Sequence, residues 1–137
     1  MYKILLLSAL LFFNNYCRAQ EKDYRVVFDI TSRDSVTHQT LLRQADIIKN
    51  SHAESKIVVV IYGQAINLVL KDKSSQTATI QKLLEMKDVS FKVCEITMKR
   101  NNLDKSQLIP GVEIVPDGIY EIISKQREGW GYIKVAN

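Results

Sequence analysis

The sequence predicts an α/β domain built on a mainly parallel sheet with helices on both faces. Three observations carry this. Apolar, β-branched runs of strand length alternate along the chain with amphipathic stretches of helical spacing. One of those runs, Lys56–Tyr62 (KIVVVIY), is apolar almost throughout, as a central parallel strand covered on both faces should be. No repeat, low-complexity segment or linker divides the 137 residues, a length that suits one domain.

The elements follow in order. Residues 20–23 read as a frayed lead-in, and Tyr24–Ile30 (YRVVFDI) as the first strand. Asp34–Asn50 places Leu41, Leu42, Ala45 and Ile48 at helical spacing. Lys56–Tyr62 ends at Gly63. Ile66–Leu70 (INLVL) fits either a short strand or a turn of helix, and as an exposed apolar patch it would be a contact for a neighbouring chain. Ser75–Lys87 has Ile80, Leu83 and Leu84 on one face, with Ser74 or Ser75 as cap. Ser90–Glu95 (SFKVCE) is a strand, Thr97–Ile109 is polar with one or two short helical turns, and Val112–Val115 is a short strand. A helix then starts at Pro116-Asp117-Gly118, with Asp117 accepting from first-turn amides and Ile119, Ile122 and Ile123 inward. Gly129 ends it, and Trp130–Val135 (WGYIKV) closes the chain.

The N-terminus has another character. Lys3 precedes the apolar run Ile4–Phe13, and Cys17-Arg18-Ala19 follows. This is the layout of a secretory signal peptide cut after Ala19. The run is about half the ~20 residues that a membrane-spanning helix needs, and Tyr16 before Cys17 argues against a lipoprotein signal. Residues 1–19 are therefore expected to be a signal peptide and 20–137 the domain, periplasmic or secreted, with no stable membrane span after cleavage. Removing Lys3 and Arg18 leaves 17 basic against 15 acidic residues, a net charge of +2. No clustered basic stripe marks a nucleic-acid partner. Cleavage also removes Cys17, so Cys94 remains as a lone thiol, uncommon in an exported protein.

Several chemistries find no support. The five glycines are scattered and form no phosphate loop. His38, His52 and Cys94 have no zinc-ligand spacing, so no metal is expected, and no cofactor. No serine elbow is visible. Asp29 and Asp34 read as ordinary surface charges, and His38 as a solvent-facing or capping residue. Trp130 and Tyr132 share one strand face, as pocket wall, subunit contact or core.

Cys94 is the one candidate catalytic residue. It stands at the C-terminal end of a parallel strand, the edge where open α/β sheets bind ligands. Helix-start amides near Thr97 and the charges of Lys99 and Arg100 would favour its thiolate. Tyr62 and Gly63 reach the same edge, so Tyr62, Gly63, Thr97, Lys99 and Arg100 are candidate pocket residues. Against this, a free cysteine on an apolar strand is commonly a small buried hydrophobe.

The stretches VCEITMKRNNL (93–103) and VPDGIYEIISKQREGWGYIK (115–134) resemble the DsrE/DsrF-like family, especially its small exported members. Residues 26–44 and 59–70 fit the same layout. The resemblance implies a three-layer α/β/α sandwich around a parallel five-stranded sheet, assembly as a trimer or hexamer, and a persulfide carried on a cysteine at the position of Cys94 between donor and acceptor proteins. Many relatives have histidine where this chain has Tyr62, which removes an acid/base partner, and an exported protein cannot serve cytosolic tRNA thiolation. The resemblance favours a persulfide sulfur carrier acting through Cys94; the alternative is a non-catalytic oligomeric module that binds a small ligand and uses Cys94 as a core residue. Exposure of the thiol separates them.

Overall fold

The structure is a computed structural model that describes residues 23–136. The expected signal peptide, residues 1–19, lies outside them. Five strands, β1 (Arg25–Ile30), β2 (Lys56–Ile61), β3 (Val89–Cys94), β4 (Glu113–Val115) and β5 (Gly131–Val135), form one sheet in the order β4-β3-β2-β1-β5. Every pairing is parallel. The helices are α1 (Ser35–Ser51), α2 (Thr77–Leu84), α3 (Glu95–Arg100) and α4 (Gly118–Arg127), with 3₁₀ turns at Gly63–Val69 and Lys105–Gln107.

Strand order explains the layers. From β1 to β4 the chain steps one way across the sheet, and from β4 to β5 it steps back. Parallel crossovers are right-handed almost without exception, so a reversal of direction moves the connecting helix to the other face. The large core, with Phe28, Val59 and Phe91, accordingly packs under Leu41 of α1, Leu83 of α2 and Met98 of α3. On the opposite face α4 lies alone, and its Ile122 packs on Val27, Val58 and Val60.

Local chemistry sets the boundaries. Asp34 caps α1, accepting from the Thr37 backbone N–H and hydroxyl, each at 2.8 Å. The expected serine cap of α2 is replaced by Gln76, which makes no capping side-chain bond. Ser74 instead supports the turn before it, accepting from the Gln76 N–H at 3.1 Å. The ambiguous run Ile66–Leu70 is helical through Val69, and Ile66, Leu68, Val69 and Leu70 are buried in this chain's own core. That corrects its reading as an exposed patch for a neighbouring chain.

A second correction concerns α4. Ile122 is buried as expected, but Ile119 and Ile123 are 56% and 40% exposed. The face turned to the sheet runs Gly118, Glu121, Ile122, Lys125, an i, i+3, i+4, i+7 stripe. Gly118 sits on the strand ends, Glu121 pairs with Lys92 of β3 at 2.6 Å, and the Lys125 ammonium lies 5.1 Å from the centre of the Trp130 ring. The isoleucine spacing pointed to the wrong stripe because the sheet under α4 offers charged partners as well as valines.

Candidate functional site

β3 sends its chain into α3 on one face, and its neighbour β4 sends its chain into α4 on the other. Such a divergence leaves a crevice at the carboxyl ends of the two strands. Cys94 is the last residue of β3, in register with Val115 of β4, and stands at that point. The crevice is filled by α4. A Cβ built on Gly118 would lie 3.2 Å from Cys94 Cβ, 3.2 Å from Val60 Cγ1 and 3.6 Å from Tyr62 Cβ. With that helix start packed over it, Cys94 is 5% exposed.

The same face carries a polar cluster. Register places Asp29 of β1 beside Lys134 of β5. The Lys134 ammonium donates to Asp29 Oδ1 at 2.9 Å and to Thr31 Oγ1 at 3.1 Å, and the Tyr132 hydroxyl donates to Asp29 Oδ2 at 2.7 Å. Asp29 is 5% exposed, so its reading as a surface charge is corrected. The carboxylate survives burial because both oxygens have donors, one of them cationic. Asp34 is likewise a helix cap and not a free charge.

Tyr62 completes this side, with the Lys134 ammonium 5.6 Å from its ring centre. Burial first, then the charge and hydrogen bond of Asp29, push its phenol up to about 12. Tyr132 is also raised to about 12, first by its bond to Asp29. Both are neutral phenols at physiological pH. They can donate hydrogen bonds, but neither can take the proton of the Cys94 thiol as a general base.

Across Gly63 the edge opens into a cleft of about 400 Å³, lined in part by Arg33, Gly63, Lys73, Thr97, Arg100 and Asn101. The Gly63 N–H donates to Thr97 Oγ1 at 3.0 Å and fastens the exit of β2 to α3. A second opening of about 480 Å³ shares Gly63 and Gln64 and reaches Thr31 and Lys134.

Residues 14–135 match the model of the DsrE/DsrF-like family. The chain belongs to the DsrE/DsrF-like family. Solved structures agree. A protein of unknown function from Methanobacterium thermoautotrophicum, MTH1491, superposes with a TM-score of 0.77 at 30% identity, covering 82% of this chain and 99% of that one. BT1422 from Bacteroides thetaiotaomicron, a conserved protein of unknown function, gives 0.70 at 17% identity, over 86% of this chain and 100% of its own. The ychN protein of E. coli gives 0.68 at 15% identity, over 82% and 98%. No curated protein matches the chain.

In this DsrE/DsrF-like chain the candidate residues divide between two neighbourhoods. Tyr62 lies with Cys94 under the start of α4, whereas Gly63, Thr97 and Arg100 line the cleft. Lys99 lines neither opening and pairs with Glu95 at 2.9 Å. His38 is buried, with Nε2 2.7 Å from the Ser32 carbonyl oxygen, so it fixes the loop after β1 from beneath. Trp130 and Tyr132 share the α4 face as expected. Sequence reasoning missed Asp29, Tyr132 and Lys134 as one cluster, and Arg33 and Lys73 as cleft residues. One signal was available: Asp29 is an acid inside an otherwise apolar strand run, VVFDI. Among the described residues, no group of three or more His, Cys, Asp or Glu side chains is placed to hold a metal, and no helix is long and apolar enough to cross a membrane.

Proposed function

We propose that this DsrE/DsrF-like protein is a non-catalytic binding module, with a small ligand at the C-terminal edge of the sheet and Cys94 as a core residue. The observation that supports it is the contrast at that edge: Cys94 is 5% exposed beneath the start of α4, while the cleft across Gly63 is open to solvent. Alkylation tests it. Cys94 should resist a small thiol reagent in the folded protein and react once the chain is unfolded, and protein recovered from its native compartment should carry no persulfide.

One observation favours the other reading, a persulfide sulfur carrier. Cys94 ends its strand where the chain paths from β3 and β4 diverge, a place for a reactive group in open α/β sheets. In that reading the Cys94 thiolate attacks the outer sulfur of a donor protein's persulfide, the donor thiolate leaves, and an acceptor thiolate later takes the sulfur from Cys94. Rapid alkylation of the folded protein, with a persulfide on Cys94, would select it.

Two further proposals concern address and assembly. The mature chain starts at Gln20 after export, which intact-mass analysis of the envelope fraction would read. The protein is a homo-oligomer, a trimer or hexamer. Exposed Ile119, Tyr120 and Ile123 of α4, with Tyr132 of the neighbouring edge strand on the same face, give self-association an apolar surface to cover. Light scattering that returns a clean monomer at micromolar concentration would overturn the assembly.

A further inference from the structure

We propose that the cleft beside Gly63 takes a small organic anion and holds it by a phosphate- or sulfate-type oxyanion between Arg33, Lys73 and Arg100. The proposal rests on the binding-module reading and names its ligand class. The three cations come from separate segments: Arg33 from the loop after β1, Lys73 from the turn after the first 3₁₀ stretch, and Arg100 from the last position of α3. All three are exposed. No carboxylate lines the cleft with them. Among the described residues none of the three has an ion-pair partner, whereas Lys99, next to Arg100, is occupied by Glu95. Like charges gathered around one solvent-open concavity repel one another and raise the local concentration of anions, and a bound anion relieves that repulsion.

The walls are already fixed. His38 bonds the Ser32 carbonyl next to Arg33, Gly63 bonds Thr97, and the Asn101 side-chain amide donates to the Thr97 carbonyl at 2.8 Å. Gln64, Asn67 and Asn101 add neutral polar groups to the lining. Guanidinium groups present a planar fork suited to tetrahedral oxyanions, which favours them over a single point charge for this ligand. The volume of about 400 Å³ is in the range of small-ligand sites, so a substituent beyond the anionic group has space.

The test uses the folded, processed protein and inorganic phosphate as probe, followed by the backbone amide resonances, with sodium chloride at matched ionic strength as control. A sugar phosphate and the same neutral sugar form two further arms. The expected result is saturable movement of the Gly63, Gln64, Asn67 and Asn101 amides with phosphate and not with chloride, weakened by added salt. Arg33→Gln and Arg100→Gln should each weaken phosphate binding about fivefold to tenfold, the loss of one partly screened charge contact. Lys99→Gln, outside the cleft, should leave it unchanged. Tighter binding of the sugar phosphate than of free phosphate would identify an organic monoester as the ligand form; equal binding would assign the site to the free anion and overturn the organic part of the proposal. Absence of saturable phosphate binding, binding indifferent to both arginine substitutions, or equal binding of the neutral sugar would overturn the anion site. Cys94 protection from alkylation, measured on the same samples, reports on the binding-module reading separately.

Discussion

The Tyr132 hydroxyl donates to Asp29 Oδ2 at 2.7 Å from the neighbouring strand, and Lys134, two residues further on the same face, donates to the other carboxylate oxygen at 2.9 Å. A parallel β1–β5 register with Asp29 opposite Lys134 brings both donors within reach of one acid. The two bonds differ in what their loss leaves behind. Tyr132→Phe leaves Asp29 paired with a cation and should cost about 1 kcal/mol. Lys134→Met leaves a buried carboxylate with a single neutral donor. Removing one partner of a fully buried pair costs about 3–5 kcal/mol, but the Lys134 side chain is 40% exposed and water can enter in its place, so about 2 kcal/mol is expected. Urea unfolding of the two variants should rank them in that order; the reverse order would mean that the carboxylate does not depend on its cation.

The phenols near Asp29 should titrate late. Tyr62 and Tyr132 are both raised to about 12, against the ordinary value of about 10. A group whose pKa is raised in the fold adds stability that is complete below its unfolded pKa and lost as pH climbs through the folded one. The fold should therefore weaken between pH ~10 and the raised value of about 12. In a spectrophotometric titration, Tyr62→Phe and Tyr132→Phe should each delete one late-ionising phenol. Should every tyrosine of the folded protein ionise together near the ordinary value, neither the burial of Tyr62 nor the bond of Tyr132 to Asp29 holds its phenol neutral.

Much of the sheet was legible in the sequence because parallel strands leave a strong mark. KIVVVIY is buried on both faces and shows it in composition alone, and Leu41, Leu42, Ala45 and Ile48 trace the stripe of α1 that meets the core. The family was legible too, from the cysteine segment and the C-terminal stretch. What failed was pattern without partners. Ile119 and Ile123 look inward by spacing, yet the stripe that meets the sheet is set by Lys92 and the Cys94 neighbourhood, both remote in sequence, and by Trp130 just beyond the helix. Asp29 looked like a surface charge because its partners lie about a hundred residues away across a strand pairing that no local rule supplies. Of the cationic cleft, only Arg100 stands near Cys94 in sequence; its companions Arg33 and Lys73 are gathered only by the fold.

Lys49 illustrates a charge spent on closing a helix. Its ammonium donates to the Ala53 and Ser55 carbonyl oxygens at 2.6 and 2.7 Å, while the residue as a whole is buried. These bonds hold the chain as it leaves α1 and turns into β2. Lys49→Met keeps the stem and removes the donor. It frees the protein from burying a cation, but it leaves two carbonyls short of a charged partner, each bond being worth about 1.5–3 kcal/mol. The second effect should win, with a net loss of about 1–3 kcal/mol in chemical denaturation. A methionine variant as stable as the parent would show that the desolvation of Lys49 cancels its bonds.

Gly118→Ala probes the contact that buries the thiol. The helical backbone at Gly118 accepts an L side chain, and alanine in place of glycine favours a helix by about 0.5–1 kcal/mol in its interior and by less at this first position. The new methyl, however, would lie 3.2 Å from both Cys94 Cβ and Val60 Cγ1. Cys94 Cβ is fixed to the strand and cannot swing away, so the start of α4 must lift. Overpacking of this kind costs about 1–3 kcal/mol, which exceeds the helix gain and leaves a net loss of about 1 kcal/mol. The same lift should expose the thiol, so alkylation of Cys94 in the folded variant should accelerate. Val60→Ala removes the second clash, and in combination with Gly118→Ala it should restore more stability than the two separate effects predict. If Gly118→Ala instead stabilises the protein and leaves Cys94 as protected as before, the start of α4 does not rest on the thiol, and the burial on which the binding-module reading depends has another origin.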